Sequence, residues 1–414
     1  MRTVLRFEAD HAGPARPWAW LETKWASAAI VLSVLNALGW AYGFLIHRRQ
    51  VDFEVYIMGG HHFASNALYT AVQVPWPHLP FTYPPFSALL FAPLAQLPYH
   101  VAQVVWASVN LALLVGLLSV TLVTLRPSAV SSDREHWRLV ALLLGPVVLL
   151  EPVMLDLSFG QINALIVLMV VADMTGAVRI GGRALPRGLL LGIAAGIKLI
   201  PLVFLPFLVV TRQWRKALVA SLTFVVCSLV PFLYNHQTSW RYWTFYISDV
   251  KRIGAAAYVS NQSLRGALDR FQHHLMNGAG LTLASGVFVA LGLWAAWRWW
   301  QRGASFLAML LMAAAGMIAS PITWCHHMIY IVPLLAWLWW GTEPLRHRRV
   351  WAAVVTALFL WAPMWHIPND GPVEFHEHCW ELIAGSAFFL ATVFFVVLFA
   401  VLALSSARRR PVTA

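Results

Sequence analysis

Apolar stretches of about 20 residues recur along this chain from residue 25 to residue 405. That is the length an α-helix needs to cross the hydrocarbon core of a bilayer. In lipid every backbone N–H and C=O must be satisfied inside the protein, which leaves helices and closed barrels as the only spanning structures. A barrel would show ten-residue segments of alternating polarity, whereas these runs are continuous. The expected fold class is therefore all-α and polytopic. Composition agrees, with 60% hydrophobic and 11% charged residues among the 414, against roughly 25% charged in soluble domains.

The runs predict ten full spans, at about 25–46, 101–125, 139–156, 162–178, 217–234, 281–297, 304–319, 324–341, 350–366 and 381–405. A short apolar segment at 86–97 and an ambiguous one at 188–211 bring the expectation to roughly 10–12 transmembrane helices with short re-entrant or half-helices. The net charge of +12 gathers in short basic clusters between runs. That is the positive-inside signature and not a nucleic-acid stripe. Segment 188–211 has basic clusters at both ends, Arg179, Arg183 and Arg187 before it and Arg212, Arg215 and Lys216 after it, with Lys198 and Pro201 inside. Either two half-helices dip in and return with Lys198 near the bend, or an ordinary span carries an inverted loop. The domain reading is a cytoplasmic tail at 1–24, a single transmembrane domain at 25–405 and a basic cytoplasmic tail at 406–414. The first 24 residues show no cleavable signal pattern, so the first run is expected to stay as an anchor. Cys227, Cys325 and Cys379 have no paired spacing, and neither a disulfide framework nor a zinc site is implied.

With the basic clusters on the cytoplasmic side, the polar stretches fall together on the opposite one. They are Asp52, FTYPPF (81–86), DLSFGQIN (156–163), SNQSLR (260–265) and SPITWCHH (320–327). The segment between Val51 and Phe86 is too polar and too rich in Pro and Gly to be a span, and part of it fits a short helix along the membrane surface. An ionisable residue at a membrane boundary costs energy to hold and is a functional candidate; the alternative is that Asp52 simply ends a helix in water. As a single carboxylate, Asp52 suits a general base. Glu54, two residues on, would point elsewhere on a helix. Asp156 is the best second carboxylate and reads equally as a cap. Lys198, Arg265, His326 and His327 offer donors that suit a phosphate, although a histidine in such a setting also serves as a hydrogen-bonded structural group. The adjacent histidines lack the spacing and carboxylate company of a zinc site, and no metal is expected. Gln161, Asn163, Asn261 and Gln262 are amides of the kind that read sugar hydroxyls. Tyr83 of FTYPPF and Glu54 join them as candidate sugar or acceptor contacts, and Trp324 either stacks on a sugar or belongs to the interfacial aromatic belt.

Together these motifs resemble the integral membrane mannosyltransferases of glycosyltransferase family 87, which have the GT-C type fold. The resemblance covers nearly the whole chain. It rests on VDFEVY at 51–56 with ALY at 67–69, LPFTYPPFSALLFAPLAQLP at 79–98, FGQIN at 159–163, GLLLGIAAGIKLIPLVFLPFLV at 188–209, NQSLRG at 261–266 and SPITWCHH. It implies a polyprenyl-phosphate-mannose donor, no metal or other cofactor, and work at the extracytoplasmic face of the plasma membrane. It assigns Asp52 as the base that deprotonates the acceptor hydroxyl in one inverting displacement. Lys198 and one of His326 or His327 would hold the donor phosphate, with Arg265 as a further contact. Within the family the chain looks most like mycobacterial members that add an α-1,2-linked mannose to a phosphatidylinositol mannoside; members directed at lipomannan or arabinan share the motifs. The implied partners are membrane lipids and no nucleic acid; the oligomeric state is left open, a monomer being one of the forms it allows. Two rivals come from other classes. A secondary transporter would also use broken helices with central charges, but it usually shows inverted repeats, and none is visible here. A non-catalytic lipid-phosphate-binding protein would keep the basic groups without needing Asp52.

Overall fold

The computed structural model describes residues 23–47, 49–72, 78–125, 132–180, 182–272, 278–343, 345–369 and 378–405. The tail predicted at 406–414 and all but the last two residues of the tail predicted at 1–24 lie outside them. The first long helix, α1 (Lys24–His47), is followed by the short α2 (Val51–His61), then by α3 (Pro85–Ala95) and the long α4 (Tyr99–Leu125). Next come α5 (Asp133–Val148), α6 (Glu151–Phe159) and α7 (Asn163–Thr175), then α8 (Leu189–Ile197), α9 (Phe204–Val210) and α10 (Trp214–Leu229). The segment after α10 holds α11 (His236–Thr244) and α12 (Leu264–Gln272). The chain closes with α13 (Gly278–Trp300), α14 (Ser305–Ala319), α15 (Ile331–Trp340), α16 (Arg348–Trp361), α17 (Cys379–Gly385) and α18 (Ala387–Ser405). Among the described residues the only strands form a two-residue hairpin, β1 (Arg179–Ile180) against β2 (Arg183–Ala184). The protein is an all-α, multi-pass membrane protein.

The number of long spans differs from the ten expected. Among the described residues five helices are long and apolar enough to cross a membrane: α1, α4, α10 with its 3-10 extension, α13 and α18. A sixth is gained if α5 and α6, bent by 83°, form one broken span. The bend has a local cause, since Pro146 sits in the last turn of α5 and Pro152 in the first turn of α6. The expected span at 324–341 is shortened because Trp324 to His327 run as an extended residue and a 3-10 turn, leaving α15 only ten residues. Hydropathy also reports burial against protein. Every residue of α14 from Phe306 to Ile318 is buried, so this helix is apolar all round because it lies inside the bundle.

Segment 188–211 is the pair of half-helices. Its glycines let α8 lie against α10 at backbone contact. A Cβ at Gly192 would come 2.5 Å from the Ala220 carbonyl oxygen, and one at Gly196 would come 2.5 Å from Cys227 Cβ. Gly188 meets Lys216, Gly192 meets Ala220 and Thr223, and Gly196 meets Cys227. The partners ascend together, so α8 and α10 run in the same direction, and the chain between them must run back. Lys198 makes the reversal. It ends α8 with extended backbone (φ −149°, ψ 129°), and a 3-10 turn at Ile200–Val203 and α9 return the chain. Irregular backbone at depth is tolerated only where it is buried or lines a cavity, and Lys198 lines one.

Candidate active site

Asp52 stands in the first turn of α2, a helix that is not one of the spans. Two glycines seat that helix on its neighbours. A Cβ at Gly59 would strike the Phe81 ring at 2.5 Å, and one at Gly60 would lie 2.7 Å from the Phe91 carbonyl oxygen. Its N-terminus is tied to the end of α6, because Gln50 donates through Nε2 to the Leu157 carbonyl at 2.9 Å. There the chain turns through Gly160 in the left-handed region (φ 67°, ψ 39°). The turn is closed by Trp106, whose indole N–H donates to the Gly160 carbonyl at 2.7 Å while its ring stacks on Phe53 at 6.0 Å. FGQIN therefore presents Gln161 and Asn163 to α2 from a fixed turn.

The polar groups form a chain through these two amides. The Gln161 side chain donates to Asp52, and its oxygen accepts from the Tyr56 hydroxyl at 2.7 Å and the Tyr83 hydroxyl at 3.4 Å. Asn163 accepts from Lys198 Nζ at 2.8 Å and donates to Asp156 at 2.9 Å and to the His326 carbonyl at 3.0 Å. The Lys198 ammonium also lies 5.4 Å from the centre of the Tyr83 ring. Asp156 acts here as an anchor for Asn163, close to the capping role open to it from sequence. Burial pushes the Asp52 carboxyl up to about 6, against the opposing pulls of the Gln161 hydrogen bond and the Lys198 charge. Burial, followed by the Lys198 charge, pushes His326 and His327 well below the usual imidazole range, so both face the site as neutral rings. Both ring nitrogens of His326 and Nδ1 of His327 are buried without a hydrogen-bond partner among the described residues, which is unusual for buried polar atoms.

Asp52, Tyr83, Gln161, Lys198, Trp324, His326 and His327 border one cavity of about 920 Å3. SNQSLR and SPITWCHH meet behind its wall. Asn261 pairs with Trp324 as an antiparallel bridge, the Gln262 N–H donates to the Thr323 carbonyl at 2.7 Å, and the Cys325 N–H donates to the Ser260 carbonyl at 2.9 Å. The other residues singled out from sequence lie outside the cavity lining. Glu54 is turned to Arg49 and to the Tyr99 hydroxyl. Arg265 pairs with Asp269 at 3.4 Å. Asn261 accepts from the Ser263 and Thr323 N–H groups, and Gln262 is bonded to the backbone of Val259, Gly385 and Phe389. Asn163 is buried behind the wall, holding Lys198.

Several cavity residues gave no sequence signal. Tyr246, Asp249, Arg252 and Tyr258 come from the polar segment after α11, and Trp365 from the turn after α16. Trp365 is held by Glu151, which accepts its indole N–H at 2.7 Å. Tyr56 was legible only as part of VDFEVY.

A multi-pass helical membrane protein whose reversed half-helix delivers a lysine to a cavity bordered by Asp52 and Asp249 has the build of a membrane-embedded transferase. Residues 81–321 match the model of glycosyltransferase family 87, and the chain belongs to that family. It is 32% identical over 412 residues to a polyprenol-phosphate-mannose-dependent alpha-(1-2)-phosphatidylinositol mannoside mannosyltransferase of Mycolicibacterium smegmatis, covering 91% of this chain and 88% of the relative. It is 30% identical over 359 residues to the Mycobacterium tuberculosis protein of the same description, covering 82% of each. A polyprenol-phosphate-mannose-dependent alpha-(1-2)-phosphatidylinositol pentamannoside mannosyltransferase of M. smegmatis is 31% identical over 385 residues, with coverage of 91% and 89%. No solved structure matches the chain.

Proposed function

We propose that this glycosyltransferase moves mannose from polyprenyl-phosphate-mannose to a mannose hydroxyl of a phosphatidylinositol mannoside, forming an α-1,2 linkage at the extracytoplasmic face of the plasma membrane. The observation that carries the reading is the placement of Asp52 and Lys198 on one cavity wall, joined through Gln161 and Asn163. The donor and acceptor chemistry is that named for the mycobacterial relatives. Asp52 takes the proton from the acceptor hydroxyl as its oxygen attacks the anomeric carbon. The bond from that carbon to the phosphate oxygen breaks, and its electron pair leaves with polyprenyl phosphate. Lys198 and the free imidazole N–H of His326 or His327 receive the phosphate oxygens, where charge-assisted donors are strongest. Tyr83 and Trp324 border the sugar. With the carboxylate near 6, Asp52 is ionised at neutral pH and still basic enough to share a proton in the transition state. The test is incubation of the purified protein with labelled polyprenyl-phosphate-mannose and phosphatidylinositol mannosides. A lipid product one mannose longer, cleaved by an α-1,2-mannosidase, is expected; no transfer to any phosphatidylinositol mannoside would overturn the reading.

A further inference from the structure

The cavity has more polar equipment than the transfer step uses. At about 920 Å3 it lies near the top of the roughly 300–1,000 Å3 range of pockets that enclose a drug-sized ligand, more than the single sugar in transit requires. The unexplained part of its wall is the segment after α11. Arg252 is fixed there by two carbonyls and two rings. It donates to the Tyr69 carbonyl at 2.5 Å and the Phe81 carbonyl at 3.4 Å, and its guanidinium lies 4.3 Å from the centre of the Tyr246 ring and 5.7 Å from that of Tyr69. This clamp pins the segment to the stretch that carries FTYPPF. Asp249 sits one turn before the clamp. The Arg252 N–H donates to its carbonyl at 3.3 Å, its side chain borders the cavity, and its carboxylate has no hydrogen-bond or ion-pair partner among the described residues.

The Asp249 N–H also donates to the Tyr246 carbonyl at 3.2 Å, which fixes its backbone at the cavity wall; an unpartnered carboxylate there is equipment for gripping a sugar, since its two oxygens accept from neighbouring hydroxyls. A second carboxylate would repel a phosphate, so this end of the cavity does not suit the donor headgroup. We infer that Asp249 is a specificity-determining residue that grips a mannose of the acceptor other than the one receiving the new sugar. The inference rests on the transfer reading above and adds that the cavity recognises an oligomannosyl acceptor.

The test compares wild type with Asp249→Ala and Asp249→Asn on two acceptors, a phosphatidylinositol tetramannoside and a lipid bearing one mannose. Loss of hydrogen bonds to a charged group predicts that the ratio of kcat/KM on the longer acceptor to that on the shorter falls about tenfold or more in Asp249→Ala. Asp249→Asn, which keeps one acceptor oxygen, should recover part of that ratio. An unchanged ratio, or equal loss on both acceptors, overturns the inference. The wild-type arm separates the two readings: absence of transfer by wild type fails the proposed function, whereas transfer with an unchanged ratio fails only the role of Asp249.

Discussion

Gly160→Ala probes how the fold builds the site. The residue has φ 67°, where an L side chain costs roughly 1–2 kcal/mol. A Cβ there would also lie 2.7 Å from Phe53 Cβ and 3.1 Å from Gln50 Cδ. Both neighbours belong to the start of α2, and neither is a free side-chain end, because Phe53 is stacked on Trp106 and Gln50 is bonded to Leu157. Forcing a methyl into such packing costs typically 1–3 kcal/mol. The two effects together predict a loss of about 2–5 kcal/mol, which for a chain of this length lowers the unfolding temperature by about 2–6 °C. Any relief must push α2 away from FGQIN, separating Asp52 from Gln161, and a displacement of about 1 Å at a reacting group can cost about 100-fold in rate. Thermal unfolding in detergent and mannose transfer on the same preparation measure the two effects. Gly160→Asn separates the two causes, since asparagine tolerates the left-handed backbone but carries the same Cβ; it should recover the backbone part of the stability loss and still lose transfer as alanine does. An alanine variant with unchanged melting and unchanged transfer would refute the claim that this turn sets the distance between Asp52 and Gln161.

Two further predictions follow from the charges at the cavity. Burial raises Asp52 to about 6, and the base works when ionised, so kcat/KM should be level above pH 7 and fall about tenfold per unit below about pH 6. A profile flat down to pH 4.5 would remove Asp52 from the rate-determining proton transfer. Lys198→Met keeps most of the length of the side chain and removes the charge, and loss of a charged contact to phosphate predicts a rise in donor KM of about 10- to 100-fold. A donor KM within twofold of wild type would place the phosphate elsewhere.

What the sequence made legible follows from contrast. Asp52, Gln161 and the histidine pair stand out because each is polar at the edge of an apolar run, and Lys198 because it lies inside one, where holding such a group costs energy. The Lys198 bend was readable from basic clusters at both ends of one short segment, and the parallel contacts of Gly188, Gly192 and Gly196 with α10 are its structural counterpart. Asp249, Arg252 and Tyr246 carried no such contrast, lying in a loop where polar residues are ordinary. Trp365 and Glu151 come together across 214 positions, a distance no local pattern spans. Asn261 and Gln262 looked like sugar-reading amides because their motif falls on the right side, yet their hydrogen bonds are taken up in joining two loops. The expected spans at 304–319 and 324–341 correspond to the shorter helices α14 and α15, and α14 is apolar all round because it is buried in protein.

The most direct test of the account is Asp52→Asn, assayed for mannose transfer and for binding of polyprenyl-phosphate-mannose in one preparation. Removal of a general base predicts a fall in kcat of about 10²–10⁴, with donor affinity close to that of wild type because Lys198 and the histidines remain. Transfer by the variant at a rate near that of wild type would contradict the account, and the base would then have to be sought elsewhere on the cavity wall.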